Sequence, residues 1–245
     1  MTGPVPPAVQ LRGVDARHGR TLALQDVSLS IEAGSVTAVI GPNGSGKSTL
    51  FGLISGRLRP SAGTVATRGA VADVLQATAV DSQLRLTVDD VVRMGRYPSR
   101  GLLRPMRRAD LDACEEALGR VDLLDHRRRP INQLSGGQRQ RAFVAQGIAQ
   151  QAPVLLLDEP ATGLDARSHQ LILQVIREEA DAGRAVLFST HHLADAHCAD
   201  TVIALACRCV CCAPPATAMD DPAVTSLFAP QPLRPPQSEP VAMAR

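Results

Sequence analysis

The glycine-rich segment Gly41–Ser48 carries the clearest chemistry in this 245-residue chain. It reads GPNGSGKS, which fits the spacing G-x-x-x-x-G-K-S, and it lies between an apolar run and a helix-forming segment. In such a loop the backbone N–H groups and the helix N-terminus converge on phosphate oxygens. Lys47 would reach the β- and γ-phosphates, and the Ser48 hydroxyl would ligate Mg²⁺. The segment therefore predicts bound nucleoside triphosphate and magnesium, and a chance glycine-rich turn is the alternative. The residues assigned to the nucleotide are Gly41, Pro42, Asn43, Gly44, Ser45, Gly46, Lys47, Ser48 and Thr49.

Lys47 is also the one lysine among the 26 basic residues of the chain, the other 25 being arginine. A guanidinium is broad and planar, whereas an ammonium is a compact point charge. The retention of a single ammonium in this loop predicts a site that a guanidinium does not fit.

Two adjacent carboxylates, Asp158 and Glu159, follow the wholly apolar run Val154–Leu157. Such a run is typical of a strand buried on both faces of a parallel sheet. Because α/β folds bind ligands at the carboxyl ends of such strands, we expect both carboxylates in the site. Asp158 would hold Mg²⁺ and its waters, and Glu159 would orient or deprotonate the attacking water. A solvated acidic turn is the alternative, and the phosphate loop upstream weakens it.

The pentapeptide Leu134–Gln138, LSGGQ, would by itself be a turn that starts a helix, with Ser135 as the N-cap. Together with the two motifs above, it makes the chain resemble the ATP-binding subunit of an ABC transporter over about residues 8–229. LSGGQ is the signature of that family. The resemblance implies an α/β fold, namely a P-loop NTPase core with a parallel sheet, an antiparallel β edge and an inserted helical subdomain.

The same resemblance assigns further residues. Gln76 would sense Mg²⁺ and the γ-phosphate and couple to the membrane subunit, Asp165 would lie at a dimer interface, and His191 would contact the γ-phosphate. Without the resemblance, Gln76 reads as a surface residue and His191 as a structural one, and His192 is expected to be solvated. Each ATP site would form between two chains in a head-to-tail pair that closes on ATP. One chain would contribute Lys47, Ser48, Gln76, Asp158, Glu159 and His191, and the other would contribute Ser135, Gly137 and Gln138.

The chain departs from the family pattern near its N-terminus. Where the family places an aromatic residue that stacks on adenine, this sequence has His18 followed by Gly19. Imidazole has a smaller π-face, so the stacking would be weaker. His18 is the candidate adenine platform, and a surface histidine is the alternative.

The hydrophobic pattern alternates strands and helices, which predicts an α/β core with a parallel sheet. The largely helical stretch at about residues 77–146 is predicted to be the inserted subdomain. A linker is expected at Asp122–Gln133, and a final hairpin at Thr201–Ala206 and Arg208–Cys212. Residues 1–7 and the proline-rich residues 230–245 read as flexible tails.

Composition excludes several classes of protein. The chain is 44% hydrophobic and 20% charged, which suits a globular core. Its longest apolar run, Val202–Cys207, is too short to cross a bilayer. The N-terminus lacks the basic start of a signal peptide, so the chain is expected in the cytoplasm, with its six cysteines reduced. The net charge of +2 gives no reason to expect a nucleic-acid partner.

The segments Gln138–Leu157 and Leu86–Arg96 resemble the zinc and manganese branch of the family, and most of all zinc importers of actinobacterial type. This implies a subunit on the inner face of the membrane that works with a multispan permease and an extracellular metal-binding protein. The alternatives are an importer of chelated iron or cobalamin, and a soluble ATPase for metallocluster assembly.

The sequence leaves the roles of two groups of residues undecided. The first, at Cys207, Cys209, Cys211 and Cys212, either packs the final hairpin or binds a metal. The second is a basic segment that either docks the permease and anionic lipid or is a solvated face. It has six arginines, Arg93, Arg96, Arg100, Arg104, Arg107 and Arg108, with Tyr97 among them.

Overall fold

The structure is a computed structural model that describes residues 6–74, 86–101 and 104–229. The strands are β1 (Val9–His18), β2 (Thr21–Ile31), β3 (Val36–Ile40), β4 (Ala62–Thr67), β5 (Val71–Val74), β6 (Val154–Leu157), β7 (Ala185–Thr190), β8 (Thr201–Leu205) and β9 (Cys209–Ala213). The helices are α1 (Lys47–Ile54), α2 (Val88–Met94), α3 (Tyr97–Arg100), α4 (Arg108–Arg120), α5 (Gly136–Ala149), α6 (Ala166–Asp181), α7 (Leu193–Ala196), α8 (Pro215–Asp220) and α9 (Pro222–Phe228).

The central sheet has the strand order β5-β6-β7-β3-β8-β9. The first five of these strands run parallel, and β9 closes the edge as an antiparallel hairpin with β8. Every residue of β3, β6 and β7 is buried. Burial on both faces explains why these strands read as continuous apolar runs in the sequence. The parallel α/β core and the final hairpin are as the sequence predicted.

A second sheet, β2-β1-β4, is antiparallel and packs over α1. Leu24 of β2 joins Leu50 and Phe51 of α1 and Leu156 of β6 in one buried apolar cluster. This cluster fixes the position of α1, whose first two residues, Lys47 and Ser48, are the last two of the phosphate loop.

The helices between residues 88 and 149 form a unit beside the central sheet. Helices α2 and α4 both pack on α5, and α5 packs on β5. At Gly147 an added Cβ would lie 2.4 Å from Val74 Cγ2, so α5 and β5 approach too closely for any side chain there. The linker expected at residues 122–133 contains two short 3₁₀ turns, Leu124–His126 and Ile131–Gln133. Helices α8 and α9 follow the final hairpin and were missed, because each is shorter than the window over which helical periodicity is legible.

The basic segment is not one solvated or docking face. Arg96 lies with its Nη2 3.0 Å from Asp110 Oδ1 and donates to the carbonyl of Ala149 at 2.8 Å. Arg100 also pairs with Asp110, and both guanidinium groups are largely buried. The expectation of a continuous docking face is therefore wrong for Arg96 and Arg100, since they join α3 and its N-terminal flank to α4 and α5. Asp110 lies two residues beyond the segment, which is why the segment looked unpaired.

Glu179 makes the second buried ionic junction. Its side chain is fully buried on α6 and pairs with Arg120 at the end of α4 and with Arg184 beside β7. Arg120 also reaches the half-exposed Glu178, with Nη2 3.1 Å from Oε2. This junction ties the helical unit to the central sheet.

We expect Glu179→Gln to lower the free energy of unfolding by about 3–5 kcal/mol, because it leaves two arginines partly buried without their shared counter-charge. Urea titration monitored by circular dichroism measures the effect. Glu178→Gln is the matched control on the same helix, and its loss is expected to stay below about 1 kcal/mol because water reaches the half-exposed Glu178 carboxylate. Equal losses in the two variants would contradict this account.

Within the described ranges, no helix has both the length and the apolar composition required to cross a membrane.

Candidate nucleotide-binding site

The sheet topology brings the candidate residues to one edge. Strands β6, β7 and β3 are parallel neighbours, so their carboxyl ends lie side by side. Gly41 follows β3, Asp158 follows β6 and His191 follows β7. Adjacent carboxyl ends of parallel strands are where α/β folds bind ligands. Three segments far apart in the sequence therefore meet at one site.

The phosphate loop folds around the Lys47 side chain. Lys47 Nζ donates to the carbonyl oxygens of Gly41 at 2.7 Å and Pro42 at 3.2 Å. Burial lowers the pKa of Lys47, and the nearby carboxylates of Glu159 and Asp158 partly offset that effect. The ammonium is thus held inside the loop with two acidic groups close by.

Two serines hold Asp158. Ser48 Oγ donates to Asp158 Oδ2 at 3.1 Å, and Ser189 Oγ donates to Asp158 Oδ1 at 2.5 Å. Ser189 Oγ also accepts from the backbone N–H of Glu159 at 2.8 Å. Ser189 is completely buried on β7 and was not among the candidate residues. The one signal for Ser189 in the sequence was its place in the Ser-Thr-His segment, where β7 ends and His191 follows.

Glu159 and His191 face each other across the end of the sheet. His191 Nδ1 lies 3.7 Å from Glu159 Oε2, which is an ion-pair distance and too long for a hydrogen bond. The backbone of Glu159 is left-handed, with φ of 49°, a conformation that non-glycine residues rarely adopt. The His192 ring, expected to be solvated, is exposed and lies 4.1 Å from the His191 ring, centroid to centroid.

The loop fits a phosphate group. Ser45 Oγ is buried and has no hydrogen-bond partner within the described ranges. This is expected of a hydroxyl that donates to a bound ligand. Gly46 has φ of 103°, and an added Cβ there would lie 2.5 Å from Leu24 Cδ2 and 2.8 Å from the Ala23 carbonyl oxygen. The first turn of α1 contains no acidic residue, so its N-terminus stays attractive to anions.

A cavity of about 470 Å³ opens beside this loop. Asp158 and Glu159 line it together with the loop residues Asn43 to Thr49. Thr21, Leu22 and Ala23 of β2 also line it and were not expected from the sequence. Mg²⁺ prefers oxygen ligands. Ser48 supplies a hydroxyl oxygen at this cavity, and Asp158 supplies carboxylate oxygens.

The signature segment lies at a different cavity. Ser135 caps α5, because its Oγ accepts from Gln138 N at 3.2 Å while Gln138 Oε1 accepts from Ser135 N at 3.1 Å. Both line a cavity of about 510 Å³ that also includes Asp165. Gly137 packs near Asp165, since an added Cβ would lie 3.6 Å from Asp165 Oδ2. Of the residues that the structure describes, none lines both cavities. Ser135 and Gln138 therefore line a different cavity from the phosphate loop of the same chain.

Two predicted residues cannot be placed. Gln76 lies outside the described residues, and so does the side chain of His18, although its backbone ends β1. The cysteines lie on the hairpin, where burial raises the pKa of Cys209 to about 11 and also raises the pKa values of Cys211 and Cys212. A protonated thiol is a poor metal ligand. In the described part of the chain, no group of three or more His, Cys, Asp or Glu side chains is arranged to hold a metal ion.

Comparison with known proteins agrees with the motifs. The family model described as ABC transporter matches residues 24–162. The manganese transport system ATP-binding protein MntA of Synechocystis sp. is 41% identical over 197 residues, which cover 76% of this chain and 76% of MntA.

Solved structures agree with the fold. A transporter assigned to the metal-chelate type, in an inward-facing conformation, superimposes with a TM-score of 0.83 at 27% identity, over 91% of this chain and 89% of the other. The ATP-binding cassette MJ0796, as a dimer in a post-hydrolysis state bound to ADP and Pi, has a TM-score of 0.73 at 25% identity, over 84% of this chain and 98% of the other. With the phosphate loop, the paired carboxylates and LSGGQ in place, the chain belongs to the ABC transporter family as one of its ATPase subunits.

Proposed function

We propose that this chain hydrolyses ATP to power the import of a divalent transition metal or a metal chelate. The observation that carries the ATPase mechanism is the meeting of Gly41–Ser48, Asp158–Glu159 and His191 at the ends of three adjacent strands. The likeness to a manganese transport subunit and to a metal-chelate transporter supports the metal cargo. Zinc, expected from the subfamily resemblance, remains a prediction.

The phosphate loop binds the triphosphate. Its backbone N–H groups, the Ser45 hydroxyl and the Lys47 ammonium would donate hydrogen bonds to phosphate oxygens. Ser48 and Asp158 would hold Mg²⁺, with Gln76 as the third member that the resemblance adds. Bound Mg²⁺ supplies positive charge that offsets the negative charge of the phosphate oxygens.

Glu159 and His191 act on the water and the terminal phosphate. Glu159 accepts a proton from the attacking water or orients it, and His191 donates a hydrogen bond to the γ-phosphate. Ser189 supports both residues, because its hydroxyl donates to the Asp158 carboxylate and accepts from the backbone N–H of Glu159.

A second copy of the chain completes each site. Ser135 and Gln138 line a cavity separate from the one at the phosphate loop, and Gly137 lies between them in the sequence. All three would therefore serve the ATP that is bound to the partner. The dimer of MJ0796 supports a paired arrangement. Because ATP would lie between the two chains, it stabilises the pair by mass action.

The pair would work beneath a multispan permease on the inner face of the membrane, with an extracellular metal-binding protein delivering the cargo. Arg93 is a candidate for the docking surface, because it stays half-exposed while it pairs with Asp89 at 2.8 Å. Arg96 and Arg100 are excluded from that surface by their pairing with Asp110.

Cellular metal content tests the cargo. A strain that lacks this chain is expected to lose manganese or iron when starved of metals, and wild-type protein should restore it. Glu159→Gln protein is the matched control, because it should bind ATP without restoring uptake. Loss of zinc alone would favour a zinc importer, whereas unchanged manganese, iron and zinc would contradict metal import.

A further inference from the structure

A hydrogen-bonded chain of three side chains begins at Thr190, the residue before His191. Thr190 Oγ1 donates to Asp195 Oδ2 at 3.1 Å, and His169 Nε2 lies 2.9 Å from Asp195 Oδ1. Thr190 is 3% exposed and Asp195 6% exposed, so the carboxylate is held between its two partners with little access to solvent. This set is called the His169–Asp195–Thr190 chain below.

The Thr190 hydroxyl controls the backbone around His191. Thr190 is the last residue of β7, and its Oγ1 accepts from the backbone N–H of His192 at 3.0 Å. The two residues that flank His191 are therefore tied to each other through one hydroxyl. Because the Thr190 hydroxyl donates its hydrogen bond to Asp195, a lone pair of its oxygen is left to accept from the His192 N–H.

The other end of the His169–Asp195–Thr190 chain lies on α6. His169 is in the first turns of α6, and its backbone N–H donates to the Asp165 carbonyl at 2.9 Å. Asp165 caps the same helix through Ser168, whose backbone N–H donates to Asp165 Oδ1 at 2.9 Å. The His169–Asp195–Thr190 chain thus connects the backbone at His191 to the helix that begins at Asp165.

We propose that His169, Asp195 and Thr190 are positioning residues for His191, holding it in a fixed relation to the first turns of α6. The proposal rests on the function proposed above, in which His191 meets the γ-phosphate. Buried polar groups that are fully hydrogen-bonded hold one arrangement strongly, because a broken bond leaves a buried group unpaired. Removing one member lets His191 drift from its place without removing any group that contacts the nucleotide.

Steady-state ATPase assays on the full chain provide the test. Thr190→Val and His169→Leu are each expected to lower kcat by roughly ten-fold to a hundred-fold, the range for a displaced catalytic group. ATP affinity should change little, since neither residue contacts the nucleotide. His169→Gln should restore most of the activity, since its amide can donate in place of the imidazole. His197→Leu is the matched control, because His197 is an exposed histidine just after α7.

Repeating both substitutions in a His191→Ala background separates positioning from general support of the fold. If the His169–Asp195–Thr190 chain acts through His191, Thr190→Val and His169→Leu cause no further loss of kcat in the His191→Ala protein. A further loss equal to that in the wild-type background would overturn the proposal, and so would unchanged kcat in both single variants. If His191→Ala itself kept wild-type kcat, the role of His191 in the proposed function would fail, a result that is read independently of the other variants.

Discussion

Replacement of Glu159 by glutamine is expected to lower the rate of ATP hydrolysis by about 10²–10⁴-fold, the usual contribution of a general base. The change removes the carboxylate but keeps the size and shape of the side chain. Ser189 bonds the backbone N–H of residue 159 and not its side chain, so the loop should keep its place. Lys47 and Ser45, which are assigned to the phosphates, are untouched.

The Glu159→Gln protein should therefore trap ATP and accumulate as a dimer. Size-exclusion chromatography with ATP and magnesium should show the dimer, while the same protein with ADP provides the control and should stay monomeric. Hydrolysis within a few-fold of wild type would remove Glu159 from the mechanism. A protein that hydrolyses ATP at the normal rate cannot also accumulate as an ATP-bound dimer. The two measurements therefore check each other.

Exchange of Lys47 for arginine is expected to abolish most of the activity, although both side chains are cations. The Lys47 ammonium fits between the Gly41 and Pro42 carbonyl oxygens and is 7% exposed. A planar guanidinium needs a wider space and presents its donors in a fork. We expect kcat to fall by roughly 10²–10³-fold, the range for losing one preorganised donor, with weaker ATP binding as well.

An ATP titration of the Lys47→Arg protein, followed by hydrolysis assays, measures both effects. Arg108→Lys is the control, because it makes the reverse exchange at a side chain that is 87% exposed. A wild-type Michaelis curve for Lys47→Arg would refute the argument that begins from the single lysine.

Local patterns were sufficient to propose the residues of the phosphate site. The loop Gly41–Ser48 and the pair Asp158–Glu159 are each contiguous, and each adjoins an apolar strand that burial on both faces makes legible. The α/β core followed from the alternation of strands and helices, and LSGGQ carried the resemblance to the family. These features could be predicted because the chemistry and the element that positions it lie within about ten residues of each other in the chain.

Other features depend on residues that only the folded chain brings together. Asp110 neutralises Arg96 from 14 positions away, Ser189 reaches Asp158 across 31, and His169 reaches Asp195 across 26. A single sequence holds no periodicity that marks such pairs, because each depends on which strands are neighbours and how helices pack on them. The sequence by itself therefore determined the class of reaction and the residues of the proposed phosphate site. The tertiary structure decided which arginines are buried and which side chains hold the reacting groups in place, because ion pairs and hydrogen bonds act over a few ångströms of space and not along the chain.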